Sequence, residues 1–196
     1  VENGSCFRGI TIAQGDLSQR VELKQADEVG QLADSLREMG DGLRAKATAA
    51  EQIAQGDLAV EIVVASDKDV LGKAMLMMRD NLRGLVTEAK LLTQAAVDGK
   101  LATRGNTDKF GGAYRDIVRG VNDTLDAVID PLNVAARYVD RISKGDVPAK
   151  ITDKYNGDFN EIKNNLNQCI DAVNALIADA NFLSKAAVEG KLATRA

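Results

Sequence analysis

Residues 29–43, VGQLADSLREMGDGL, set the fold: Val29, Leu32, Leu36, Met39 and Leu43 stand 3, 4, 3 and 4 positions apart. That alternation is a two-per-seven stripe, too narrow for a broad globular core and suited to a facing helix with the same stripe. Three further stretches repeat it. Leu71, Met75, Met78, Leu82, Leu85, Ala89, Leu92 and Ala96 form the second seam. Val118, Val121, Leu125, Val128, Leu132, Ala135, Val139 and Ile142 form the third. Ile162, Leu166, Cys169, Val173, Leu176, Ala180, Leu183 and Ala187 form the fourth. The pattern predicts an all-α chain of helices about 25 to 30 residues long, roughly 40 Å each, paired lengthwise. Within the seams, Leu32, Leu36, Met78, Leu82, Val121, Leu125, Leu166 and Val173 are the expected packing positions.

Between the seams a short signature recurs. Gly, then Asp or Lys, then an apolar residue appears at Gly15-Asp16-Leu17, Gly56-Asp57-Leu58, Gly99-Lys100-Leu101, Gly145-Asp146-Val147 and Gly190-Lys191-Leu192, with glycines 41, 43, 46 and 45 residues apart. A fixed period of that size marks a serially repeated supersecondary unit. Two pairs of copies are nearly literal: IAQGDL occurs at 12–17 and 53–58, and AAVDGKLATR at 95–104 returns as AAVEGKLATR at 186–195. Duplication is the simplest cause. Gly15, Gly56, Gly99, Gly145 and Gly190 are read as left-handed turns that end one helix and open a connector of about a dozen residues. Leu17 with Val21, Leu58 with Ile62, and Val147 with Ile151 are read as apolar anchors pinning each connector to the bundle, so that the flanking helices run parallel. Leu101 is the anchor of the third connector, but its second position is Gly105, which predicts a looser hold.

Composition narrows the function. Apolar residues make up 45% of the 196 residues and aromatics 4%, with no Trp and two Pro, which favours thin helical layers over a thick core. The formal net charge is −4 and no Lys/Arg run is present, so nucleic acid is not an expected partner. There is no run of 18 apolar residues and no secretory leader. The array begins inside a repeat and stops just after a fifth connector starts, which reads as a piece of a longer chain with a membrane segment upstream. Cys6 and Cys169 have no ligand-like spacing, and Cys169 falls on a seam where Cys acts as a small apolar residue; a reducing compartment without a structural disulfide fits.

Chemistry is expected to be absent. Without His there is no phosphoaccepting His, His-ligated metal or His-dependent triad, and no catalytic residue, cofactor or metal site is predicted. The Gly-Lys pairs lack the upstream glycine of a phosphate loop. Residues 40–45, GDGLRA, formally fit a dinucleotide fingerprint, but no strand precedes them and Leu43 is a seam position. The carboxylate pairs read as a solvated face, and Met75 and Met78 as core. Two local irregularities stand out. Gly40 and Gly42 lie in a helix where each costs up to about 1 kcal/mol against Ala, beside a 4, 4 step at Met39, Leu43 and Ala47 that resembles a stutter. Pro131 predicts a junction or kink, with Asp130 at a helix start.

A heptad helix, a Gly-Asp-Leu connector with two anchors, and an acidic-Gly start to a second helix together resemble the HAMP domain, the signal relay of bacterial transmembrane receptors. Asp27-Glu28-Val29-Gly30 matches the family's acidic-Glu-x-Gly signature at the second-helix start; Asp69-Val70-Leu71-Gly72 keeps the Asp and Gly. The third and fourth copies carry Phe110-Gly111-Gly112-Ala113-Tyr114 and Tyr155-Asn156-Gly157-Asp158-Phe159 instead. Pro131-Leu132 looks like a HAMP first-helix start, and residues 120–132, GVNDTLDAVIDPL, are similar to the poly-HAMP segments of methyl-accepting chemotaxis proteins. The resemblance implies repeats at 1–43 (first helix truncated), 44–86, 87–130 and 131–176, with a partial fifth at 177–196. It implies a parallel four-helix coiled-coil bundle made by a homodimer, in the cytoplasmic part of an inner-membrane-anchored bacterial receptor. An upstream transmembrane sensor and a downstream signalling domain would share the chain, and a chemotaxis histidine kinase and coupling protein would be reached through that downstream domain. Two other outputs remain open: a sensor histidine kinase, or a passive dimeric spacer.

Overall fold

A computed structural model describes residues 15–191 and 193–195. Four long helices account for most of them: α1 (Glu28–Ala54), α2 (Val70–Val97), α3 (Gly112–Ser143) and α4 (Asp158–Val188). They contain 27, 28, 32 and 31 residues, and no strand occurs among the described residues. The all-α expectation holds. Residues 1–14, which include Cys6 and the first IAQ copy, and Leu192 lie outside the described residues.

The helices end as their glycines dictate. Gly15, Gly56, Gly99, Gly145 and Gly190 have φ of +87°, +89°, +71°, +78° and +75°, a region that costs any side chain a Cβ clash. After α1, Gly56 N–H donates to the Ile53 carbonyl and Asp57 N–H to the Gln52 carbonyl, both at 2.9 Å. This pair of bonds is the Schellman motif, which satisfies carbonyls the helix end would orphan. Gly145 with Asp146, and Gly190 with Lys191, close α3 and α4 the same way.

One feature departs from the sequence reading. α3 runs through Pro131 without ending, so no helix starts at Asp130; Pro131 is an interior residue of the longest helix. α1, by contrast, carries Gly40, Gly42 and the 39, 43, 47 spacing within one helix, as the sequence places them. A Cβ at Gly40 or Gly42 would meet nothing within 4 Å, so within this chain these glycines are not required by close packing and their cost is backbone entropy alone.

The chain divides into two compact units. One comprises residues up to Val97 together with Asn106–Arg115, and the other comprises Asp98–Gly105 together with residues from Asp116 onward. In the first, Ala49 and Ile53 of α1, Ile62 of the connector and Met75 of α2 form a buried cluster, with Leu58, Val60, Leu76 and Leu82 packed around it. In the second, Val118, Ile129, Ile151, Ile170 and Ala186 are buried, Ile170 almost completely. The repeat boundaries inferred from sequence recurrence, after residues 43, 86, 130 and 176, all fall inside helices α1 to α4.

Candidate functional site: the connectors and their clasps

Each connector is held by the stripe of helix positions that lies one residue after the seam. On α1, Gly30 and Ala33 are buried and Arg37 and Arg44 are half-buried, each directly following Val29, Leu32, Leu36 and Leu43. The first connector crosses these residues: Arg44 Nε donates to the Leu17 carbonyl at 2.8 Å and Arg37 Nη2 to the Leu23 carbonyl at 2.9 Å. On α2 the corresponding Arg79 donates through Nη1 to the Val60 carbonyl at 2.9 Å. Asparagine takes this place on the last two helices. Asn122 donates to the Gly105 carbonyl (2.9 Å) and accepts from the Gly105 N–H (2.8 Å), and Asn167 does the same with Ile151 at 3.0 and 2.8 Å.

The apolar anchors support these polar bonds. Val21, Ile62 and Ile151 are buried, while Leu17, Leu58 and Val147 are half-buried. Leu101 corrects its assigned role: it is 43% exposed and does not anchor the third connector within this chain. Nor is that connector loosely held. Gly105 is buried under the paired bonds from Asn122, and downstream Phe110 is 5% exposed, its ring lying where a Cβ on Gly84 of α2 would come within 2.9 Å. An Asn amide and a Phe ring replace the missing apolar side chain.

The second residue of each Gly-Asp or Gly-Lys pair has a local task. The Asp16 carboxylate accepts from Ser18 N–H and Oγ, and Asp57 from Ala59 N–H, forming turns that start the connector. Those two bonds from Ser18 hold the Asp16 carboxyl below its ordinary value. Asp146 instead pairs with Arg141, which lowers the Asp146 carboxyl and raises the guanidinium. Where Lys replaces Asp, it pairs with the acid two residues earlier: Lys100 with Asp98 at 3.1 Å and Lys191 with Glu189 at 2.8 Å. These exposed pairs contribute little to stability.

The starts of α1 and α2 are built by carboxylates. Asp27 Oδ1 accepts from Gly30 N–H at 3.0 Å and Asp69 Oδ1 from Gly72 N–H at 2.9 Å, the N-cap geometry that satisfies an orphan donor. Gly30 and Gly72 are both buried. A Cβ on Gly30 would strike the Gln25 backbone carbonyl, and one on Gly72 would strike the Asp69 carboxylate. Glu28 is exposed in the first turn of α1, where its charge suits the helix dipole.

The segments that lead into α2 and α3 are tied to the preceding helix by ion pairs of opposite polarity. Lys46 of α1 reaches Asp69 Oδ1 at 2.7 Å; Glu88 of α2 takes Lys109 Nζ at 2.7 Å and Asn106 N–H at 3.0 Å. Lys46 lowers the Asp69 carboxyl to about 2, helped by the N–H groups of Gly72 and Ala65. Lys109, then Asn106 N–H, lowers Glu88, which is 5% exposed. Both carboxylates therefore stabilise the fold fully above their unfolded values of about 3.8 and 4.5, and that contribution fades as pH falls below them, for Asp69 through about 2. Thermal melts from pH 5 down to pH 2 are expected to show falling stability, and Asp69→Asn should start lower and fall less steeply.

Met75 and Val118 of the seams are buried, but most other seam residues are more open than the shoulder stripe. Leu32 is 60% exposed, Val121 44% and Met78 37%, whereas Leu36, Leu82, Leu125, Leu166 and Val173 are half-buried. The sequence reading found the seam and missed the shoulder. Its signal is present in Gly30, Ala33, Arg37, Gly40 and Arg44, which repeat the 3, 4, 3, 4 spacing one position later. Among the described residues no cluster of His, Cys, Asp or Glu is arranged to hold a metal, and no helix is long and apolar enough to cross a membrane.

Residues 10–45 match a family model described as HAMP domain, and residues 109–175 match a second model of the same description. No solved structure matches the chain.

Proposed function

Because the chain belongs to the HAMP domain family, a family of signal-relay domains, we propose that it is the relay segment of a bacterial chemoreceptor, passing a conformational bias from an upstream transmembrane sensor to a kinase-controlling domain downstream. The segment acts in the cytoplasm as a parallel homodimer, and it catalyses no reaction. Its output partners are a chemotaxis histidine kinase and coupling protein, reached through the downstream domain.

The exposed seam carries this reading. Leu32, Val121 and Leu176 are 60%, 44% and 68% exposed in the single chain, yet they fall on unbroken two-per-seven stripes whose physical use is a second helix. A cavity of about 290 Å³ opens beside the cluster of Ala49 and Ile62, lined also by Gly42, Ala45, Val63 and Ala65. A second copy laid along the seam covers the exposed stripe. Each repeat then becomes a bundle with two packings close in energy, and a ligand upstream shifts their populations only through a difference in binding to the two states. The similarity of residues 120–132 to chemotaxis receptors favours that output over a sensor kinase.

The test is disulfide crosslinking in the full-length receptor, with Cys6 and Cys169 replaced by Ser and single cysteines placed at Leu32, Val121 and Leu176. The expected result is crosslinking between copies at all three positions, with a profile that changes on stimulation. Crosslinks that ignore the stimulus identify a static spacer and overturn the relay; none at any seam position overturns the dimer.

A further inference from the structure

Four side chains occupy one register position: Arg37, Arg79, Asn122 and Asn167 each follow a seam residue (Leu36, Met78, Val121, Leu166) and stand sixteen or seventeen residues after the connector position filled by Val21, Ile62, Gly105 and Ile151. All four bond to connector backbone. We infer that this position is the connector latch, and that the array contains two latch classes, a one-point arginine latch in the first two repeats and a two-point asparagine latch in the next two.

The classes follow from hydrogen-bonding capacity. A guanidinium has only donors, so from the connector backbone Arg37 and Arg79 can take a carbonyl but never an N–H. They also share their donors: Arg79 Nε and Nη2 bond Asp80 at 3.0 and 2.6 Å, and Arg37 pairs with Asp34. An Asn amide has the donor and acceptor layout of a peptide group. Asn122 and Asn167 therefore engage both polar groups of a single buried residue, as a neighbouring strand would. The segments matched by the two family models fall on opposite sides of this divide, residues 10–45 with Arg37 and residues 109–175 with both asparagines.

A consequence follows that rests on the relay reading. A change of packing must let each connector slide on its helix. The arginine latch is a long, jointed side chain that can follow its carbonyl, whereas the asparagine latch must break two bonds at once. The first two repeats, the first with a further arginine bond from Arg44 to the Leu17 carbonyl, are then the compliant part of the array, and the next two hold or release as a step.

Residue-resolved amide exchange on the dimeric 196-residue chain tests the latch. Asn167→Ala is expected to speed exchange of the Ile151 amide at least about tenfold, while the Met75 amide in the other compact unit stays unchanged. Asn167→Asp keeps the acceptor, so the Ile151 amide should remain slow. Arg79→Ala should leave the Ile62 amide within about threefold of its original rate, since arginine accepts nothing. If Asn167→Ala leaves Ile151 unchanged, or Asn167→Asp speeds it as much as Ala does, the latch is overturned. If Arg79→Ala speeds the Ile62 amide as strongly as Asn167→Ala speeds Ile151, the division into two classes is overturned. Exchange rates carry no signalling input, so their failure leaves the relay standing; crosslinks that ignore a stimulus remove the consequence and leave the latch.

Discussion

Truncating Ile62 to Ala is expected to lower stability by about 2–4 kcal/mol, because it removes the one connector side chain that joins α1 to α2 in the buried cluster. Ile62 is 8% exposed and packs with Ala49, Ile53 and Met75. The loss combines the transfer of three methyl or methylene groups to water with a void that the neighbours fill only partly. Leu101→Ala is the natural control. Its side chain holds the first-anchor place of the third connector, as Leu58 does in the second, but is 43% exposed, so a cost below about 1 kcal/mol is expected. Denaturant titrations at one fixed chain concentration check both, since association adds to apparent stability. Equal losses at the two positions would contradict the assignment of Ile62 as anchor and Leu101 as bystander.

The second large effect is Gly30→Ala, expected to cost about 2–4 kcal/mol. A methyl there runs into the backbone carbonyl of Gln25, which cannot swing away as a side-chain tip can. The connector end must move, at the 1–3 kcal/mol typical of overpacking, and the movement pulls Asp27 out of its N-cap bond for about 1 kcal/mol more. Asp27→Ala alone removes only the second part. Comparing the two variants by thermal melting separates them, and a Gly30→Ala variant no worse than Asp27→Ala would show that the connector end has room to spare. The acidic-x-x-Gly pattern thus has a physical meaning: the acid supplies the cap and the glycine leaves space for the chain that carries it.

Much of this was legible in the sequence, for reasons particular residues make plain. A 3, 4 alternation of Leu, Met and Val has one simple structural use, and a glycine every 41 to 46 residues at a helix end announces its own positive φ. The latch was not legible. Arg37 and Arg79 look like ordinary solvated charges on an exposed face, and Asn122 and Asn167 sit among many polar residues, so only the backbone groups opposite them reveal their task. Leu101 misled because the literal repeat GKLATR copies the letter pattern of an anchor, whereas the hold on that connector comes from Asn122 and Gly105, with Phe110 packed just downstream. Pro131 misled in the other direction. A proline usually marks a boundary, but α3 presents Pro131 beside Val134, Ile151, Tyr155 and Phe159, and this packing accompanies an uninterrupted helix.

Pro131 also gives α3 a mechanical character unlike that of its neighbours. A proline nitrogen has no hydrogen, so the carbonyl four residues earlier, on Ala127, lacks its usual rung, and the 32-residue rod is one bond short near its middle. The helix is locally softer there than along its fully bonded turns. A sideways load on α3 should therefore concentrate its bending between Ala127 and Pro131.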